Sequence, residues 1–146
     1  MKTTFDKTIF WIPRLGASLI MMQTLYFKFT GSEESVYIFT TVGMEPWGRW
    51  LVGSFELLAS ILLLINATAW FGAFLGLGLM AGALFMHATL LGWEVQGDGG
   101  YLFFLAIIVS VFCAAVLLIK RTDVERRLRS LLKRVHLSSA KAASNS

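Results

Sequence analysis

The sequence predicts an all-α membrane protein: a polytopic four-helix bundle with a short outer interfacial helix and a basic amphipathic helix at its cytoplasmic C-terminus. Of the 146 residues, 56% are hydrophobic and 15% are charged, and the mean hydropathy is +0.68. A soluble domain has about 45–50% apolar and about 25% charged residues. Three uninterrupted apolar runs and a fourth with a few polar breaks account for the excess and indicate four crossings.

The composition also limits what the chain can be. A chain of 146 residues has room for one domain. Its single cysteine, Cys113, lies inside an apolar run, so the chain forms neither an internal disulfide nor a CxxC redox pair. The net charge of +4 is unevenly distributed, which indicates a membrane orientation rather than a nucleic-acid partner.

The chain opens with a short polar N-terminus, residues 1–8, and the first predicted crossing covers residues 9–29. The apolar centre of this crossing has the size of a signal-peptide core, but no small-residue cleavage site follows it. We therefore interpret it as a retained helix. Pro13 suits the first turn or the interface of such a helix, and Arg14 is expected to anchor its inner end.

A short helix is predicted next, because Gly31 and Ser32 have the pattern of a helix stop followed by a new cap. Its apolar face covers about ten residues, which is too short to span the membrane, so the helix should lie at the interface. Gly43 and Pro46 end it, and the second crossing covers residues 47–65.

The third crossing is predicted over residues 69–91, and the fourth, which carries no charge, over residues 101–119. The third crossing contains glycines that form two small-xxx-small pairs: Gly72, Gly76, Gly78 and Gly82. Such spacing lets helix backbones approach closely in lipid. We interpret these glycines as packing positions, with a gap for a substrate as the alternative.

Residues 120–136 begin with a capping box and place their apolar side chains on one face at helical spacing. The other positions are largely basic: Arg126, Arg127, Arg129, Lys133 and Arg134. This pattern is typical of an amphipathic helix that lies on anionic lipid, and a docking site for a cytoplasmic partner is the alternative. The Ser/Ala-rich residues 137–146 are expected to be disordered.

Basic residues determine the predicted orientation. Eight Lys and Arg residues follow the last crossing, and positively charged segments stay in the cytoplasm. Four crossings return the N-terminus, with its own lysines, to the same side. Both termini are therefore predicted to be cytoplasmic, in a multi-pass protein of the cell inner membrane.

The most informative polar residues lie inside the predicted crossings. A carboxylate in hydrocarbon costs about 2.5–3.5 kcal/mol on insertion scales, so Glu56 must have a partner. Glu56 and His87 each lie six residues inward from a tryptophan suited to the outer interface, Trp50 and Trp93. At ~1.5 Å per residue both side chains start ~9 Å below that interface, at a depth similar to that of Lys28.

We expect an ion pair between Lys28 and Glu56, with His87 hydrogen-bonded to one of them. Arg49 precedes Glu56 by two turns on nearly the same helical face and is expected to reach toward that carboxylate. Gln23 lies in the middle of its helix and is suited to a hydrogen bond across the bundle. The cluster is expected either to fix the helix register or to line a polar pocket in the outer half of the membrane.

The available donors exclude two kinds of cofactor. A haem held by two histidines would need His87 and His136, and His136 falls in the cytoplasmic tail. A structural zinc site needs four ligands, whereas the crossings offer one cysteine and one histidine. We therefore expect neither a haem site nor a zinc site.

Four short motifs occur along the crossings: KFTG at 28–31, FTTVGMEP at 39–46, GSFELL at 53–58, and His87 after a glycine-rich helix. Together they resemble the DoxX-like (DoxX/DoxD) family of four-helix integral membrane proteins over about residues 14–118. The resemblance implies association with membrane redox systems: quinone-linked sulfur oxidation in the name-giving relatives and oxidative-stress complexes in others. It also carries over Lys28, Glu56 and His87 as polar positions of the family type.

Three functions are compatible with these features. The first is an accessory subunit of a membrane redox system that binds a quinone or a small sulfur compound in the polar pocket. Its electrons would come from a membrane redox partner or a bound cofactor, and any activity would be that of a quinone-linked oxidoreductase component. The second is a non-catalytic scaffold or assembly factor, which would bind other proteins or further copies of itself. The third is a small transporter or proton pathway.

Overall fold

The computed structural model describes the backbone of residues 4–121 and the side chains of residues 8–121. All regular secondary structure in this range is helical, as the sequence predicts. Most of the predicted basic helix and the whole predicted disordered tail lie outside the described residues. The positions affected include Arg126, Arg127, Arg129, Lys133, Arg134 and His136.

The first helix, α1, spans Thr4–Thr30 and begins before the predicted start at residue 9. Pro13 lies in its interior rather than in its first turn, so the helix continues through a residue that has no main-chain N–H. At ~1.5 Å per residue, α1 is about 40 Å long. Its sequence is interrupted by Arg14, Gln23 and Lys28.

The second helix, α2, spans Glu33–Thr41 and is capped as predicted. Gly31 adopts a φ of +69°, a conformation that turns the chain out of α1 and is open to glycine without strain. The Oγ atom of Ser32 then accepts a hydrogen bond of 3.3 Å from the main-chain N–H of Ser35. These two residues therefore separate a long helix from a short one.

Three longer helices complete the described chain. Helix α3 spans Trp47–Leu64, and α4 spans Ala69–Met86 and continues as a single π-helical turn, His87–Leu91. Helix α5 spans Tyr101–Arg121. These three stretches are long and apolar enough to cross a membrane. Helix α1 does not belong to that set, so the four crossings remain a prediction.

The core of the bundle forms where α1 packs on α3 and α3 packs on α4. Its buried side chains are small or unbranched at many positions: Ala17, Met21, Ala59, Leu63, Ala69, Ala73, Met80, Ala106, Val109, Cys113 and Val116. Large apolar side chains cover the outside instead, with Tyr26, Phe74 and Phe85 among the most exposed. An apolar exterior around buried polar groups is what a lipid environment favours.

The four glycines of α4 fall into two groups. A Cβ atom on Gly72 would lie 2.6 Å from the main-chain nitrogen of Leu63, and one on Gly76 would lie 3.0 Å from Sγ of Cys113. These two glycines allow α4 to approach α3 and α5. By contrast, a Cβ on Gly78 or Gly82 would meet no described atom within 4 Å, so the structure does not place these two at a packing contact within the chain.

Arg14 is fully buried, whereas the sequence predicts an anchor at the membrane interface. Its Nε atom donates to the carbonyl of Leu63 at 2.6 Å, and its Nη2 atom donates to the carbonyl of Leu64 at 2.9 Å. These carbonyls belong to the last residues of α3, which have no partner within their own helix. Arg14 therefore caps the C-terminus of the neighbouring helix.

Arg49 caps the C-terminus of α1, at the opposite end of the α1–α3 pair. It lies in the first turn of α3, and its Nη1 atom donates to the carbonyl of Lys28, in the last turn of α1. Each of the two antiparallel helices thus supplies an arginine that caps the other. These reciprocal arginine caps hold α1 and α3 together at both ends.

Candidate functional site

An ion pair joins α1 to α3 near the α2 end of the bundle. The Nζ atom of Lys28 lies 3.0 Å from Oε2 of Glu56, and the two side chains are 15% and 5% exposed. The hydroxyl of Thr24, one turn before Lys28, lies 3.3 Å from the same oxygen. Thr24 was not among the residues predicted for the site, although its position follows from the helical spacing of residues 24 and 28.

Arg49 does not reach toward Glu56, which corrects the expectation from the sequence. Its guanidinium pairs with Glu45, and the shortest distance, from Nη2 to Oε1, is 2.7 Å. The reason is proximity, because Glu45 lies one turn before Arg49 whereas Glu56 lies two turns after it. Arg49 therefore stabilises the start of α3 and the end of α1.

His87 is also not hydrogen-bonded to the ion pair, contrary to the expectation. Its Nδ1 atom lies 2.7 Å from the carbonyl oxygen of Gly92, and its ring packs edge-to-face on Phe103 with a centroid distance of 5.5 Å. The cause is the π-helical turn at the end of α4, which ends at Gly92 with a φ of +77°. This turn brings the carbonyl of Gly92 back to the ring.

Gln23 bonds across the bundle. Its Nε2 atom donates to the hydroxyl oxygen of Tyr101 at 3.3 Å, which connects α1 to the first residue of α5. Both side chains are exposed at the edge of the bundle. Tyr101 is a further polar residue that the sequence analysis did not identify.

One cavity brings most of these residues together. It has a volume of about 340 Å³, and all five helices contribute to its wall. Gly78 and Gly82 line it on α4, where their missing side chains leave space. The polar groups in the wall include Gln23, Thr24, Lys28, Glu56, His87 and Tyr101. Of the predicted cluster, Arg49 alone does not contribute to this wall.

The loop before α5 is organised by Asp98. Its Oδ1 atom accepts from the main-chain N–H groups of Val95 and Gly100 at 2.9 and 2.8 Å, and its Oδ2 atom accepts from Leu102 at 3.0 Å. Burial raises the pKa of Asp98, but the three main-chain hydrogen bonds to its carboxylate lower it, and the pKa falls below its usual value. Asp98 is thus the N-terminal cap of α5.

Glu34 on α2 lines the cavity near the same loop. Burial, and secondly the charge of Asp98, raises the pKa of Glu34 above its usual value. Within the described residues, no group of three or more His, Cys, Asp and Glu side chains is arranged to hold a metal ion. The charged chemistry of the cavity is therefore that of single carboxylates, one lysine and one histidine.

Comparison with known proteins identifies the family. The DoxX family model matches residues 9–89, which is more than half of the chain and covers most of α1 and all of α2, α3 and α4 up to the π-helical turn. No curated protein and no solved structure matches. Three helices within residues 4–121 are long and apolar enough to cross a membrane. The chain therefore belongs to the DoxX family of membrane proteins.

Proposed function

We propose that this chain is an accessory subunit of a membrane redox system and that its cavity binds a quinone headgroup or a small sulfur compound. The observation that carries the proposal is the cavity itself. Its volume of about 340 Å³ lies within the range of about 300–1,000 Å³ that is typical of ligand pockets. Most of its lining is apolar, and a few polar groups converge on it, as such pockets require.

The charges in the wall favour the quinone of these two ligand classes. Lys28 is paired with Glu56, so its positive charge is already balanced. Glu34 adds a further carboxylate to the wall. An anionic sulfur compound would meet this negative charge without a free cation to offset it, whereas a neutral quinone ring would not.

The electrons would come from a partner or a bound cofactor. The chain has one cysteine, which is buried in the core, and therefore no dithiol pair of its own. The residues of the cavity would hold the ring, exclude water and exchange hydrogen bonds with its oxygen atoms. This division of labour is that of a binding subunit rather than of a complete oxidoreductase.

A photoreactive benzoquinone with a short tail tests the proposal. We expect it to label peptides of the cavity wall in the wild type and to label them far less in Glu56→Gln, with Glu33→Gln as control because that carboxylate is exposed outside the cavity. A Gly82→Leu variant, which fills the cavity, should abolish labelling while Glu56 remains in place. Equal labelling of all variants would reject the site and would favour the scaffold function.

We further infer an orientation in the cell inner membrane with both termini in the cytoplasm, on the basis of the basic residues that follow α5. The same residues would bind anionic lipid. In a Cys113→Ala background, single cysteines at Ser139 and at Gly97 should react with an impermeant thiol reagent from opposite sides. Labelling of both from one side would reject this orientation.

A further inference from the structure

The protonation pattern of His87 follows from its hydrogen bond. A carbonyl oxygen accepts hydrogen bonds and cannot donate them, so Nδ1 of His87 carries the hydrogen that bonds Gly92 at 2.7 Å. In the neutral ring the second nitrogen, Nε2, is then a pure acceptor. The π-helical turn at the end of α4 therefore determines not only where the ring lies but also what its free nitrogen can bind.

The Nε2 atom of His87 has no hydrogen-bond partner among the residues that the structure describes, and the side chain lines the cavity. No carboxylate in that part of the chain lies within salt-bridge distance of the ring. The nearby acid, Asp98, already receives three main-chain N–H groups. The ring thus presents an unused acceptor in an otherwise largely apolar space.

We propose that the cavity prefers a hydroxyl-bearing aromatic ring, a hydroquinone rather than the corresponding quinone, and that a hydroxyl of this ligand donates to Nε2 of His87. This inference rests on the proposed function and specifies the redox form of its ligand. A quinone offers only acceptors, so its oxygen would face the acceptor Nε2 without a hydrogen between them. A hydroquinone supplies that hydrogen.

Two donors of the wall do not discriminate between the two forms in this way. The ammonium of Lys28 and the amide of Gln23 are donors, and both a carbonyl oxygen and a hydroxyl oxygen accept from a donor. The carboxylates of Glu56 and Glu34 are acceptors too, so the contribution of His87 is the part of the selectivity that is lost when its ring is replaced. Its test is a ratio of affinities, which a general disturbance of the cavity would not change.

The experiment measures binding of three probes to the full-length protein in nanodiscs without oxygen: a short-tailed benzoquinone, its hydroquinone and the dimethyl ether of that hydroquinone. We expect the hydroquinone to bind about 2- to 10-fold more tightly than the quinone, the ratio that corresponds to one neutral hydrogen bond. The dimethyl ether keeps the ring but lacks the donor hydrogens, so it should lose this advantage.

Two substitutions test whether the preference for the hydroquinone depends on the ring nitrogen of His87. His87→Phe keeps an aromatic ring against Phe103 and removes both nitrogens, whereas His87→Leu removes the ring as well as both nitrogens. Either variant that folds should lower the ratio toward one. The control, Glu33→Gln, should leave the ratio unchanged, since that side chain lies outside the cavity.

The outcomes separate this inference from the proposed function. Equal affinity of both redox forms in the wild type, with binding still lost in Gly82→Leu, would overturn the role of His87 and retain the quinone site. A preference that persists in both His87 variants would do the same. Failure of all three probes to bind would overturn both.

Discussion

The Nζ atom of Lys28 lies 3.0 Å from Oε2 of Glu56, and this pair connects α1 to α3 at the wall of the cavity. Both groups are largely removed from water, so the charge of each is stabilised by the opposite charge of its partner. The pair therefore stabilises the bundle and also supplies charged groups to the wall of the cavity. A double-mutant cycle can separate these two roles.

Removing one partner of this pair should destabilise the protein more than removing both. Lys28→Met leaves a 5%-exposed carboxylate unpaired, and loss of one partner of a buried pair costs about 3–5 kcal/mol. The double variant Lys28→Met/Glu56→Gln should recover most of that loss. Thermal unfolding of the four proteins in one detergent measures the coupling, and strictly additive effects would show that the pair contributes no mutual stabilisation.

Arg14→Lys should lower the stability although it keeps the positive charge. A lysine cannot reproduce the two donors that meet the carbonyls of Leu63 and Leu64, and hydrogen bonds to charged groups contribute about 1.5–3 kcal/mol each. The expected result is a lower Tm. An unchanged Tm would mean that the end of α3 is satisfied without this side chain.

Gly72→Ala and Gly78→Ala form a matched pair on α4. The new methyl group at residue 72 would lie 2.6 Å from a main-chain nitrogen of α3, and such overpacking costs about 1–3 kcal/mol. The same change at residue 78 meets no described atom within 4 Å and should be neutral or slightly stabilising, since alanine favours a helix. Equal losses of Tm would contradict this distinction.

Asp98→Asn should destabilise the start of α5 by about 0.5–1.5 kcal/mol, the usual net value of one hydrogen bond, because the amide keeps one acceptor oxygen but puts an N–H donor where Oδ2 accepts from Leu102. Because the pKa of Asp98 is lowered in the folded protein, its stabilisation is present above the ordinary pKa of about 3.9 and is lost as the pH falls through the lower value. The Tm difference between the two proteins should therefore narrow below about pH 4. A constant difference from pH 3 to pH 7 would argue against this cap.

Glu34→Gln should have the opposite effect on stability near neutral pH. The raised pKa of Glu34 means that the folded protein disfavours its charge, so the stability linked to this group is lost as the pH rises above the ordinary value of about 4.3. We expect the variant to be more stable than the wild type at pH 7, by less than about 1 kcal/mol because the group is partly solvated, and equal to it near pH 4. A lower Tm at pH 7 would contradict the assignment.

The parts of the site that depend on the cost of isolated charge could be predicted from the sequence. Glu56 needed a cation, and Lys28, which lies at a similar depth in another crossing, was predicted to supply it. The link from Gln23 across the bundle followed from the same reasoning, although its partner, Tyr101, did not. Helical spacing also places Glu45 one turn from Arg49 and Glu56 two turns from it, so the partner of Arg49 was predictable from the sequence.

Other features depend on backbone geometry that no side-chain pattern reveals. The carbonyl of Gly92 reaches His87 because α4 ends in a π-helical turn. Arg14 is buried because its partners are main-chain oxygens at the end of another helix, and these have no sequence signature. The division of the α4 glycines likewise depends on which face meets α3, since the spacing of both pairs is the same.

The reciprocal arginine caps have a mechanical consequence. A helix that is pinned to its neighbour at both ends resists sliding and tilting, because either movement would strip charge-assisted bonds from Arg14 or Arg49. Helices α1 and α3 are therefore expected to move as one rigid unit. A bulky molecule that enters the bundle would then have to displace α4 or α5. The exposed hydrogen bond between Gln23 and Tyr101 marks where α5 would separate from α1 and α3.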